Sequence, residues 1–116
     1  MAAPSAEVLE ALYATLVARR GADPSTSYTA SLYAKGIDTI LKKIGEEAAE
    51  TIIAAKDCAS GGAPERVRLV NELADLWFHV MVLMAAYDVP LSSLTDELAR
   101  RTGRSGLVEK ASRSAN

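Results

Sequence analysis

The chain has 116 residues, of which 49% are hydrophobic and 24% charged, and its formal net charge is -2. The length suits one compact domain, residues 1–116, and the balance is globular rather than disordered. With no global basic field, nucleic acid is excluded as an expected partner, and the single cysteine, Cys58, excludes an internal disulfide framework and reads as a free thiol in a reducing compartment.

The opening "MAAPSAEVLEALYA" lacks a basic run before an apolar one, so no signal peptide is expected. In residues 6–20, Val8, Leu9, Leu12, Tyr13, Leu16 and Val17 recur at three and four, which predicts a helix with one apolar stripe. Ser5 is the expected N-cap, and Gly21 ends the helix behind Arg19 and Arg20. "GADPSTS" is a loop by composition. A short helix is expected in "YTASLYAKG", ending near Gly36. A long one follows over residues 37–58, with Ile37, Ile40, Leu41, Ile44, Ala48 and Ile52 as its apolar face. "SGGAP" breaks the chain, and Pro64 opens the next helix in its first turn, reaching about residue 87 and apolar almost all round. Ser92 or Ser93 is the expected cap of a last helix through Arg101, which Gly103 ends. The tail after Gly103 reads as small, polar and basic.

Strand patterns are nearly absent, so the expected fold is all-α, four or five helices around one core. An all-round apolar helix needs cover on every side, which one short chain does not supply, so a homodimer is expected. Residues 76–87 are the longest apolar run. They are too few to span a bilayer and contain His79, so a soluble cytoplasmic protein with no membrane partner is expected. Trp77, Phe78, Met81 and Met84 are expected to pack in the core.

The chemistry concentrates in "KKIGEEAAET", residues 42–51. With Glu46 at zero, Glu50 falls at about 40° and Glu47 at about 100°, while the apolar face spans about 120° to 240°. These carboxylates border the buried face. On the following helix, with Glu72 at zero, Asp75, Arg68 and His79 fall at about 300°, 320° and 340°, a narrow polar line on an apolar helix. Glu47 and Glu50 are i,i+3, and so are Glu72 and Asp75. Side by side, the two helices make a four-carboxylate cage. Buried carboxylates need pairing or a cation. Oxygen-only ligation suits a hard divalent ion, and Mg²⁺ is the usual one where phosphates complete the shell. Either segment alone is an ordinary solvated acidic face, paired with Lys42, Lys43 or Arg68; the two together on such helices argue for the cage. One histidine and one cysteine exclude a zinc site, and the Glu-x-x-His pairs of a di-iron bundle are missing.

"EEAAE" followed by "ELAD" resembles the E-E-x-x-E … E-x-x-D pattern of the all-α nucleoside triphosphate pyrophosphohydrolases, the MazG-like superfamily. More closely, "SYTASLYAKG", "KKIGEEAAET", "ELADLWFHVMVLM" and "ELARRTGRSGLVEKASR" resemble the phosphoribosyl-ATP pyrophosphohydrolase family. The resemblance implies Mg²⁺-dependent hydrolysis of phosphoribosyl-ATP to phosphoribosyl-AMP and pyrophosphate, the second step of histidine biosynthesis, by a helical homodimer with sites between helices. It supports Glu47, Glu50, Glu72 and Asp75 as metal ligands. Glu46 is left as a general base on the attacking water or as a ligand to a second Mg²⁺.

A substrate with so many phosphates needs further cations and donors. Candidates are Lys42 and Lys43 one turn before the glutamates, Lys35, the hydroxyls of Ser27, Tyr28 and Thr29, and the backbone N–H groups of that helix start. In the tail the candidates are Arg100, Arg101, Arg104 and Lys110. Each lysine is equally readable as a solvated side chain. His79 is either a substrate or supporting contact, or a core histidine bonded to Asp75 or to a carbonyl. Two other functions fit parts of the pattern: a house-cleaning pyrophosphohydrolase acting on dCTP or non-standard nucleotides with the same cage, and a non-catalytic helical dimerisation module.

Overall fold

The computed structural model describes residues 5–102 and 113, and among them five helices and no strand: α1 (Ser5–Ala18), α2 (Tyr28–Lys35), α3 (Ile37–Asp57), α4 (Ala63–Ala86) and α5 (Leu91–Arg101). The expected stop at Gly103 and the tail candidates Arg104 and Lys110 lie outside the described residues. The all-α expectation holds.

Local chemistry sets most boundaries. Ser27 caps α2, its hydroxyl accepting from the Ala30 N–H at 3.2 Å. Gly36 sits at φ 99°, where an L side chain is strained, and its N–H bonds back to the Leu32 and Tyr33 carbonyls. One glycine thus ends α2 and starts α3 with no loop between. Pro64 lies in the first turn of α4, as expected, and the Glu65 carboxylate accepts from the Gly62 N–H at 2.7 Å. Two expectations need correction. α1 stops at Ala18, and residues 19–22 turn away on bonds such as Arg19 N–H to the Thr15 carbonyl at 3.1 Å. α5 is not capped by Ser92 or Ser93: it begins at Leu91 behind Pro90, which has no N–H to leave unsatisfied, and Ser93 N–H bonds the Pro90 carbonyl at 3.0 Å.

Leu16, Leu32, Ile40 and Val82 are fully buried, and Tyr13, Met81, Met84 and Ala85 complete the core with them. Burying each such large side chain contributes about 1.5–3 kcal/mol. The core therefore sits around the C-terminal half of α4, flanked by α1, α2 and the start of α3. One face of α4 is bare from its N-terminal half to just past its middle: Val67, Val70 and Trp77 are exposed, so Trp77 does not pack in this chain's core as expected. On α3, Leu41 and Ile52, expected on the buried face, are exposed as well; they stand at the far edge of the stripe, past the contact with α4. α4 is long and apolar enough to cross a membrane, but its apolar C-terminal half is the core of the bundle.

α3 and α4 form an antiparallel hairpin, the largest helix contact in the chain. Arg68 pairs with Asp57 near its turn. The Cys58 thiol donates to the Glu65 carbonyl at 3.3 Å. The hydroxyl of Thr51 donates to the Glu47 carbonyl at 2.8 Å and lies 3.3 Å from that of Glu72, tying the helices at the level of the acidic residues.

At the end of α5, Glu97 accepts from Arg100 at 2.6 and 2.9 Å and from Arg101 at 3.0 Å. Those bonds, Arg100 first, pull its carboxyl from the usual 4.5 down to about 2. A depressed carboxylate stabilises above its ordinary value and stops doing so as pH falls toward 2. Glu97→Gln is expected to reduce α5 helicity at pH 7 and to reduce it much less at pH 2, where the carboxyl is half protonated, read from α5 Cα chemical shifts. An equal loss at both pH values would overturn this account.

Candidate metal and substrate site

On facing sides of the α3–α4 hairpin, Glu47, Glu50 and Glu72 each bring a carboxylate oxygen within 4.8 Å of the others. Glu47 is only 6% exposed, Glu72 is partly buried and Glu50 is exposed. Oε2 of Glu47 and Oε2 of Glu72 are buried without a hydrogen-bond partner. Two buried, acceptor-only oxygens facing a third carboxylate repel one another, and a hard cation is the group that satisfies them together. The residues present therefore fit a divalent ion. Asp75, the fourth carboxylate of the expected cage, is exposed and stands outside this group.

Glu46 and Glu47 share Lys43, whose Nζ lies 3.4 Å from Glu46 Oε2 and 3.4 Å from Glu47 Oε1. Burial pulls the Lys43 ammonium down, but the Glu46 bond, with Tyr28 and Glu47 nearby, carries it above the ordinary lysine value. Lys43 is thus the lysine that the structure brings to the acidic rim. Lys42 and Lys35 are exposed. Arg101 is engaged by Glu97. Ser27 is occupied as the α2 cap, and Thr29 is 8% exposed.

His79, on α4, is buried against Tyr28 of α2. Its Nδ1 lies 2.7 Å from the Asp75 carbonyl oxygen, and its Nε2 lies 2.9 Å from the Tyr28 hydroxyl. The expected core histidine bonded to a carbonyl is what these contacts show, and the ring also reaches the residue that opens α2. Thr51 was not singled out from the sequence. Its only sequence sign is a β-branched hydroxyl in mid-helix, four residues after Glu47, where back-bonding to a carbonyl is common.

The relatives of this chain place it among the hydrolases of phosphoanhydrides. The family model for phosphoribosyl-ATP pyrophosphohydrolase matches residues 9–102. A protein of Cupriavidus metallidurans named phosphoribosyl-ATP pyrophosphatase is 55% identical over 113 residues, 93% of this chain and 93% of the relative. One of Novosphingobium aromaticivorans with the same name is 54% identical over 108 residues, covering 93% of this chain and 95% of the relative. A third, of Trichlorobacter lovleyi, is 51% identical over 106 residues, covering 91% and 93%. This chain belongs to the phosphoribosyl-ATP pyrophosphohydrolase family.

Proposed function

We propose that this chain hydrolyses phosphoribosyl-ATP between its α- and β-phosphates, giving phosphoribosyl-AMP and pyrophosphate in histidine biosynthesis, with Mg²⁺ held by Glu47, Glu50 and Glu72 and with Asp75 joining them once ion and substrate bind. The observation that carries the site is the pair of buried, unpartnered oxygens of Glu47 and Glu72 beside Glu50; the names of its relatives carry the substrate. Held there, Mg²⁺ would neutralise triphosphate charge and make pyrophosphate a better leaving group. Glu46, exposed beside the cluster, takes the proton of the attacking water. Lys43 neutralises Glu46 and Glu47 before substrate arrives and holds a phosphate oxygen afterwards. Lys35, Lys42 and Arg101 are further phosphate contacts in this reading, reached by long exposed side chains. The enzyme acts as a cytoplasmic homodimer, a second copy covering the bare face of α4.

The test is pyrophosphate release from phosphoribosyl-ATP with and without Mg²⁺, with dCTP and ATP as rival substrates. Rapid release from phosphoribosyl-ATP that stops when Mg²⁺ is chelated is expected. Faster turnover of dCTP or ATP would move the enzyme to house-cleaning, and no release from any of the three would leave only a dimerisation module.

A further inference from the structure

The hydroxyl of Tyr28, the first residue of α2, lies 2.9 Å from Nε2 of His79, and the other nitrogen of that ring lies 2.7 Å from the Asp75 carbonyl oxygen. A carbonyl oxygen only accepts, so Nδ1 carries a proton. In the neutral ring, Nε2 then offers a lone pair alone, and the Tyr28 hydroxyl donates to it. His79 is 5% exposed and meets the Tyr28 and Phe78 rings edge-on, with centroids 5.9 and 5.2 Å away. Turning the imidazole over would leave the ring in place but put carbon where both nitrogens now bond, losing both hydrogen bonds.

The consequence falls on Tyr28. Its single proton is committed to His79, and its oxygen keeps only lone pairs for anything else. Yet the residue is 53% exposed, and through His79 its hydroxyl is joined to the turn of α4 that runs from Glu72 to Asp75. A phosphate oxygen also has only lone pairs to offer and finds no donor there. Ser27, by contrast, accepts from the Ala30 N–H and keeps its own proton to give. The three adjacent hydroxyls expected to act together on phosphate therefore differ in chemistry.

We propose that His79 is a positioning residue that makes Tyr28 an obligate hydrogen-bond acceptor for a neutral donor of the substrate, a hydroxyl or amino group, and keeps it out of phosphate binding. The proposal rests on the reading of the carboxylate cluster as the substrate site. The first test needs no substrate: ¹⁵N NMR of the wild-type imidazole is expected to show a pyrrole-like Nδ1 and a pyridine-like Nε2. The reverse tautomer, or an imidazolium at neutral pH, overturns the proposal.

The second test is kinetic. Tyr28→Phe and His79→Leu are each expected to lower kcat/KM for phosphoribosyl-ATP by about tenfold, mostly through KM, as for one lost hydrogen bond. The double variant is expected to lose no more than either single one, while inhibition by inorganic pyrophosphate changes by less than about twofold. Pyrophosphate inhibition weakened as much as substrate use would make Tyr28 a phosphate donor and overturn the proposal. Additive losses would do the same, since His79 would then act independently of Tyr28. A wild-type protein whose Tm does not respond to Mg²⁺ would sink the reading of the cluster instead, and the tautomer would still decide the role of His79.

Discussion

Glu47→Gln and Glu72→Gln are expected to lower turnover of phosphoribosyl-ATP by at least about a hundredfold, because even the groups that merely support a metal ligand are worth 10–100-fold. Neither variant is expected to lose stability without metal. Glu47 and Glu72 bury Oε2 atoms that no donor satisfies, and an amide at either position supplies an N–H to the neighbouring carboxylate while removing a negative charge. That exchange contributes about 1 kcal/mol in favour of the metal-free variant. Mg²⁺ should separate wild type from variant in the other direction. An ion that binds only the folded state at a hundred times its Kd stabilises by about 2.7 kcal/mol. In a domain of this size such a gain raises Tm by about ten degrees or more. The variants should show little of that rise. Thermal melts with and without Mg²⁺, run beside the activity assay, check both parts. Near-wild-type turnover, or an undiminished Mg²⁺ response, would remove Glu47 and Glu72 from the site. Asp75→Asn is the informative companion: Asp75 is exposed and outside the cluster, so a loss matching that of Glu72→Gln would mean that it joins when the ion and substrate bind.

The sequence made the helices and the acidic hairpin legible because their signals are local. Gly36 and Pro64 punctuate the chain by backbone geometry alone, and the Glu47–Glu50 and Glu72–Asp75 spacings fix which residues share a face. What was not legible depends on how far one helix covers another. Leu41 and Ile52 lie on the apolar side of α3 by periodicity, yet the contact with α4 does not reach them. The 100° rule places Asp75 beside Glu72, but the joint geometry of two helices decides which three carboxylates close within 4.8 Å. Ser92 and Ser93 are good caps in isolation, and Pro90 starts α5 before either is reached. Thr51 and the Tyr28–His79 link join residues 21 and 51 positions apart, and no pattern along a single helix carries such a pairing.

If a second copy covers α4 as proposed, Trp77→Glu is expected to turn that dimer into monomers, moving the mass in solution from twice 12.3 kDa to 12.3 kDa. Val67, Val70, Ala74, Trp77 and Met81 recur at alternating steps of three and four along α4, the spacing of a helix-pairing seam. The first four are exposed, and Trp77 is 55% so. Trp77 also borders two apolar grooves, one of about 240 Å³ shared with Leu9, Leu76 and Leu94 and one of about 340 Å³ shared with Leu12 and Val70. A projecting ring beside a groove is self-complementary under two-fold symmetry, where each ring enters the groove of the other copy. Buried aromatic anchors of this kind are worth about 2–4 kcal/mol apiece. A symmetric dimer loses two, and a carboxylate in their place adds its own desolvation cost. Sedimentation at micromolar concentration reads the change directly. Because Glu47, Glu50 and Glu72 all belong to one α3–α4 hairpin, the monomer should still show a Mg²⁺-dependent rise in Tm. A wild-type chain that sediments at 12.3 kDa would leave the α4 seam without a partner copy. A Trp77→Glu dimer would place the interface elsewhere on the bundle.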